Sequence, residues 1–266
     1  MYALIDIGGT YIRIAELENI NNTDSNTVET LPIENVYEND LNTIVRFLEE
    51  YKGKLKGIVI CIPGILDITE GRVIFSPNLQ SWNGRNIVND LENIFHSPIF
   101  MINDAVAGAL GSVSLYNTVN DFLYINWGTG IGGTLVRTSC NKKILTPIEP
   151  GHHIMDINGP QCTCGRKGCL EAIINNIDIG NKDNHNEIIQ YFSIGLMNII
   201  SINKISTIVL GGGVVHHYNN LLQDLENYIN KQKWLGPKIR IIPVPLEINI
   251  IGLKYFLLNK ESIIIL

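Results

Sequence analysis

Twice in 266 residues the chain reads as a strand, a glycine-rich turn and a returning strand, and this repetition limits the fold more than any other feature. Met1 to Ile7 runs into Gly8-Gly9-Thr10, and Tyr11 to Leu17 returns with Ile12 and Ile14 on one face. Asp121 to Trp127 and Ile131 to Arg137 repeat the form around Gly128-Thr129-Gly130. Strand, turn and strand make a β-hairpin, unlike the strand-to-helix passage of a Rossmann or P-loop site. Each hairpin opens a run of alternating strands and helices, so two similar α/β lobes are expected. No short-period solenoid repeat is present.

The remaining elements follow from periodicity. Asn19 to Asn26 is polar and reads as a loop, and Thr27 to Ile33 as a third strand. Leu41, Ile44, Val45 and Leu48 have helical spacing, with Asn39 or Asp40 expected as the cap. Strands are expected over Leu55–Cys61, Gly71–Phe75 and Ile99–Ile102, and helices near Arg85–Phe95 and Ala105–Leu115. After the second hairpin come a helix at Glu187–Ser201 and a strand at Thr207–Leu210 that runs into Gly211-Gly212-Gly213. A helix at Asn220–Lys231, a strand at Lys238–Val244 and a helix near Asn249–Leu258 with an apolar tail complete the chain. The expected division is a lobe of residues 1–107, with a C-terminal helix of residues 249–266 packing back on it, and a lobe of residues 108–248.

The second lobe holds a compact metal-type cluster between Glu149 and Glu171. Cys162, Cys164 and Cys169 lie close together, and Gly165 and Gly168 let the chain fold back. His152 or His153 lies just upstream, and spacing alone does not choose between them. Three thiolates and one imidazole satisfy a tetrahedral, structural zinc ion. The alternatives are disulfides or plain burial. Five cysteines leave one unpaired and no export signal opens the chain, so a disulfide framework is not expected. Cys61 and Cys140 stand far from the cluster and read as ordinary residues. A metal knot of this kind would fix Glu149 and Glu171, the two carboxylates that bracket it.

A net charge of −6 argues against a nucleic-acid partner, which needs a basic face. No apolar run reaches the length of a membrane span. The thiols and the plain N-terminus point to a reducing, cytoplasmic setting.

Several positions carry chemistry. Gly8, Gly9 and Thr10, with Gly128, Thr129 and Gly130, offer backbone N–H groups and a hydroxyl to phosphates; alone, each is only a hairpin turn. Asp6 is placed to hold Mg²⁺ through water, or simply to make local hydrogen bonds. Gly211, Gly212 and Gly213 give a flat backbone for an adenine ring, or a plain connection. Asp104 opens a helix, where the dipole favours a carboxylate; it is a general-base candidate or a helix cap. Asn78 and Asn103 are amides able to meet hydroxyls.

In order along the chain, these pieces resemble the ROK family (repressor, open reading frame, kinase). Asp6-Ile-Gly-Gly-Thr10 resembles its first phosphate motif, and Gly128-Thr-Gly-Ile-Gly-Gly133 the second. Pro63-Gly64-Ile-Leu-Asp67 and Ser76-Pro-Asn-Leu79 resemble its sugar-side loops, and Asn103-Asp104-Ala105 its catalytic motif. Glu149-Pro-Gly-His152 with Cys162-Thr-Cys-Gly-Arg-Lys-Gly-Cys169-Leu-Glu171 resembles its signature, and Leu210-Gly-Gly-Gly-Val214 its adenosine motif.

The resemblance implies an α/β, two-lobed actin-like ATPase (ribonuclease H-like) fold with a central cleft. It implies Asp104 as base, and Gly64, Asn78, Asn103, Asp104, Glu149, His152 and Glu171 as sugar contacts. It selects His152, with Cys162, Cys164 and Cys169, for zinc. The implied reaction is ATP-dependent phosphorylation of a hexose with Mg²⁺, glucokinase-like and at the 6-position, in a homodimer or homotetramer. An N-acetylmannosamine, N-acetylglucosamine or fructose kinase is the near alternative, and a non-catalytic sugar-binding protein the distant one. Family repressors carry a helix-turn-helix ahead of the first phosphate motif; with that motif at Asp6, none is expected here. Ile102, Val106, Ser112 and a short stretch from Ile173 to Asn186 depart from the family pattern and bear on sugar preference and donor affinity.

Overall fold

The structure is a computed structural model that describes residues 1–18, 27–116, 119–232 and 236–266. The loop expected at Asn19 to Asn26 lies outside the described residues. The chain forms two compact units, Met1–Leu115 with Glu247–Glu261, and Tyr116–Leu246 with Ser262–Leu266. No described helix is long and apolar enough to cross a membrane.

In the first unit, β1 (Tyr2–Ile7), β2 (Tyr11–Leu17) and β3 (Val28–Pro32) form an antiparallel meander. Helix α1 (Tyr37–Leu48) leads to β4 (Gly57–Ile62), and a small hairpin, β5 (Ile65–Asp67) and β6 (Arg72–Phe75), follows. Helix α2 (Ile87–Phe95), β7 (Ile99–Asn103) and α3 (Asp104–Leu115) complete the run. The sheet order is β3-β2-β1-β4-β7, with β4 and β7 parallel to β1. Side chains alternate across a strand. Ile5, Ile7, Ile58, Ile60 and Ile62 face one core with Trp82 and Tyr37. Asp6 and its lateral neighbours Arg13 and Cys61 therefore face the other way.

The cap expected at Asn39 or Asp40 is not there. Helix α1 begins after Val36, without a side-chain cap. Asp40 instead turns inward, where its oxygens accept hydrogen bonds from the Glu34 N–H at 2.8 Å and the Trp82 indole at 3.2 Å. A buried carboxylate is held by donors wherever they lie, and these are tertiary.

The second unit repeats the plan. β8 (Phe122–Trp127), β9 (Ile131–Ser139) and β10 (Lys142–Ile148) form the meander. Helices α4 (Leu170–Asn175) and α5 (His185–Asn203) precede β11 (Thr207–Gly211), and α6 (Gly213–His217) and α7 (Asn219–Lys231) precede β12 (Arg240–Pro243). The order is β12-β11-β8-β9-β10-β13, where β13 is Ile263–Ile265, with β11 and β12 parallel to β8. Trp127, at the end of β8, stacks on Phe192 of α5 with ring centroids 4.1 Å apart.

Helix α8 (Ile248–Asn259) belongs to the first unit and β13 (Ile263–Ile265) to the second. A Cβ on Gly252 would collide with the Ala107 carbonyl, and one on Gly111 with the Ile248 carbonyl. Glycine is what lets α8 lie this close to α3. The helix ends at Asn259, next to the Leu258 read from the sequence. The apolar tail becomes β13, parallel to β10 with Lys143 opposite Ile263. Consecutive isoleucines are better satisfied by the open side of β10 than by another turn of helix.

Candidate functional site

In the first unit, three parallel strands end along one edge of the sheet. The pairings Asp6 with Cys61, Cys61 with Ile102 and Ile62 with Asn103 set their ends level. The residues just beyond those ends are Gly8-Gly9-Thr10, Gly64 and Asp104. The register thus brings Asp6, Gly64, Asn103 and Asp104 together.

Asn103 is anchored at both ends of its amide. Its Nδ2 donates to the Gly64 carbonyl at 3.0 Å. Its Oδ1 accepts from the N–H groups of Ala105 at 2.8 Å and Val106 at 3.3 Å. Those are capping bonds, so Asn103 caps α3, and Asp104 is the first helical residue. A second Nδ2 hydrogen of Asn103 remains for a ligand. Gly64 has φ +106, and a Cβ there would strike the Phe75 carbonyl, so only glycine fits. Asn78 packs on the first turn: a Cβ on Gly9 would lie 3.1 Å from the Asn78 Cβ. Its backbone oxygen accepts from Asn35 Nδ2 at 3.4 Å.

Asp6 is 4% exposed and receives three donors. Arg13 reaches Oδ2 at 3.3 Å, while Cys61 Sγ at 3.2 Å and Asn249 Nδ2 at 2.9 Å reach Oδ1. Burial, then the charges of Asp6 and Asp104, push the Cys61 thiol well above its usual range, so it stays protonated and donates. Sequence reasoning missed all three partners. Arg13 was within reach of it, because a turn at Gly8-Gly9 puts Arg13 opposite Asp6. Asn249 left no local signal, being 243 residues away.

In the second unit, β8 ends at Gly128-Thr129-Gly130 and the parallel β11 at Gly211-Gly212-Gly213. Gly128 N–H bonds to the Gly130 carbonyl at 3.0 Å, and Asn175 Nδ2 donates to the Thr129 carbonyl at 3.1 Å. Gly212 has φ +99, and a Cβ there would enter the Trp127 carbonyl, so the two glycine segments touch.

The cysteine loop rests on the same hairpin. Glu149 is exposed and precedes a single 3₁₀ turn, Pro150–His152. Gly151 brings that turn against β9: a Cβ there would lie 2.7 Å from the Ile131 carbonyl and 3.0 Å from Glu171 Oε2. Glu171 is 9% exposed, and its Oε2 accepts the Ile131 N–H at 2.8 Å. One oxygen of this expected sugar contact therefore braces the hairpin just after the second glycine turn.

His152, Cys162, Cys164 and Cys169 place their ligand atoms within 4.8 Å of one another. Cys162 Sγ is 3.6 Å from His152 Nδ1, and Cys164 Sγ is 3.6 Å from Cys169 Sγ. Zinc bonds of ~2.3 Å to sulfur and ~2.0 Å to nitrogen set tetrahedral ligands roughly 3.6–3.8 Å apart, so this donor set fits zinc. The sulfurs are too far apart for a disulfide, and all five cysteines are free. Burial raises the Cys164 thiol, but bonds from the Arg166 backbone and guanidinium and from its sulfur neighbours outweigh this and bring it to about 7. His153 stands outside the group, lowered by burial and then by Arg166, with Nδ1 buried and unpartnered.

Residues 2–182 match the sequence profile of the ROK family. The xylose repressor of Bacillus spizizenii is 26% identical over 226 residues, spanning 73% of this chain and 58% of the repressor. The N-acetylmannosamine kinase of Haemophilus influenzae is 30% identical over 173 residues, spanning 64% of this chain and 57% of the kinase. The chain thus spans a little over half the length of these curated relatives. A ROK family glucokinase from Streptomyces griseus, solved with glucose and AMPPNP, superposes with a TM-score of 0.75 at 19% identity, covering 94% of this chain and 96% of that one. That likeness carries the fold, which is the mixed α/β, actin-like ATPase type.

Proposed function

Because the chain belongs to the ROK family of sugar kinases and regulators, we propose that it phosphorylates a hexose hydroxyl from ATP, glucokinase-like and at the 6-position, with Asp104 as general base. One observation carries this most: the capping bonds of α3 come from Asn103. Asp104 stands at the positive end of the helix while a neighbour does the capping, beside the row that holds Asp6 and Gly64.

In this reading Asp104 takes the proton of the attacking hydroxyl as its oxygen bonds to phosphorus and the bond to the departing ADP breaks. The N-terminus of α3 is a favourable place for a carboxylate. In the same reading, Gly64, Asn78, Asn103, Glu149, His152 and the second oxygen of Glu171 are the sugar contacts. Gly9 and Thr10, and Thr129 and Gly130, offer N–H groups to the phosphates; Gly8 and Gly128 shape the two turns, because their own N–H groups bond to the Tyr11 and Gly130 carbonyls. Gly211 to Gly213 take the adenine. A divalent cation, when bound, neutralises charge on the transferring group, and Asp6 would hold it through water. Zinc supplies rigid coordination, and His152 would turn its second nitrogen to a sugar hydroxyl.

The test is a coupled assay with ATP and a panel of hexoses, including the N-acetylated ones. Asp104→Asn should lower turnover by about 10²- to 10⁴-fold while largely sparing hexose affinity. Near-normal turnover in that variant sinks the assignment. The likeness to a xylose repressor favours one second reading, sugar binding without transfer. Hexose binding by the native protein with no turnover on any sugar would select it.

A further inference from the structure

Helix α8 reaches the Asp6 carboxylate through Asn249. Asn249, in its first turn, donates Nδ2–H to Asp6 Oδ1 at 2.9 Å. Only 8% of Asn249 is exposed, and its own Oδ1 is buried without a hydrogen-bond partner. A buried amide oxygen left unpaired is costly, and native folds rarely keep one without a reason.

The surroundings narrow what would satisfy it. Arg13 and Cys61 already direct donors at Asp6. Both are donors, both are directed at Asp6, and neither donates to Asn249 Oδ1. Asn249 Oδ1 is therefore an acceptor beside a carboxylate, still wanting a donor. A plain buried water needs two to four polar partners. Water in the shell of a hard divalent cation is a stronger, polarised donor. Mg²⁺ keeps several such waters when held by one or two carboxylates and substrate phosphates.

Resting on the phosphoryl-transfer reading above, we propose that Asn249 is a positioning residue for the divalent cation that accompanies the nucleotide. Its Nδ2 fixes Asp6, and its Oδ1 accepts a hydrogen bond from a cation-bound water. Outer-shell partners of this kind change metal affinity by about 10- to 100-fold when removed.

The experiment uses the full chain, with ADP as the nucleotide and Mg²⁺ titrated from zero, read by calorimetry. In the native protein, Mg²⁺ should tighten ADP binding. In Asn249→Ala, the Mg²⁺ concentration at half effect should rise about tenfold or more. ADP affinity without metal, and hexose affinity, should stay within about twofold. Asn249→Leu, closer in volume and without polar atoms, should behave the same and serves if the alanine variant does not fold. A variant that melts earlier but keeps the native Mg²⁺ dependence overturns the proposal, because Asn249 then only ties α8 to the sheet. A native protein whose ADP binding ignores Mg²⁺ overturns the function reading and this proposal together, which sets that failure apart.

Discussion

The two sheets share a topology but treat the same position in opposite ways. Asp6 and Asn126 each stand two residues ahead of the glycine turn that closes their hairpin. The lateral neighbours of Asp6 are Arg13 and Cys61; those of Asn126 are Gly132 and Gly211. The first unit crowds its position with donors around one charge. The second strips side chains away and leaves backbone. A charged, closely held carboxylate suits the metal and phosphate end of a nucleotide, and a bare backbone shelf suits a flat ring. Duplicated topology fixed where the two positions lie, and the flanking residues set them apart.

The largest expected effect lies in the loop that stiffens the second unit. Cys164→Ser leaves the cluster of His152, Cys162 and Cys169 one thiolate short. Metal should be lost, and hexose affinity should fall by about 10- to 100-fold with it, because Glu149 and His152 lie on a turn the cluster holds. Metal analysis and a hexose titration of one preparation read both. Metal loss with unchanged sugar affinity would separate the loop from the site.

Next is Gly212→Ala. At φ +99, with the Trp127 carbonyl in the way, a methyl group there should cost about 2–4 kcal/mol of stability by urea denaturation. A cost under about 1 kcal/mol would mean that the glycine shelf has slack, and the contrast with the crowded first unit would weaken. In that first unit, Arg13→Met removes a charged donor from the nearly buried Asp6. Part of Arg13 meets solvent, so the expected cost is smaller, about 1–2 kcal/mol. No change in the urea midpoint would show that Cys61 and Asn249 hold Asp6 unaided.

Local signals made the frame legible. Both hairpins, the apolar β4 and the parallel strands were readable from alternation and glycine, because those signals lie within a few residues. The cysteine loop was readable because its ligand types and spacing are unusual. What escaped was long-range or lacked its usual marker. β10 follows a turn at Cys140 and Asn141, both with positive φ, where no glycine announces it. β13 takes its strand form only from β10. Asp40 has the composition of a cap, but its partners are the Glu34 backbone and the Trp82 indole. Asn103 and Asp104 are adjacent and both suited to capping, so only coordinates could say which of them does it.

The smallest effect sets the two turns directly against each other. A Cβ on Gly128 would meet nothing within 4 Å, whereas one on Gly9 would press on Asn78 at 3.1 Å. Gly128→Ala should therefore leave stability within about 1 kcal/mol of native. If the turn holds phosphates as proposed, a methyl group there should still weaken nucleotide binding by about fivefold to tenfold, with hexose affinity unchanged. Gly9→Ala should weaken nucleotide binding to a similar extent. It should also move Asn78, and so lower hexose affinity by about threefold to tenfold. Calorimetric titrations of each variant with ADP and with a hexose separate the cases. If Gly9→Ala leaves hexose affinity untouched, the turns are equivalent, and the crowding of the first unit ends at Asp6 without the proposed sugar contact at Asn78 depending on it.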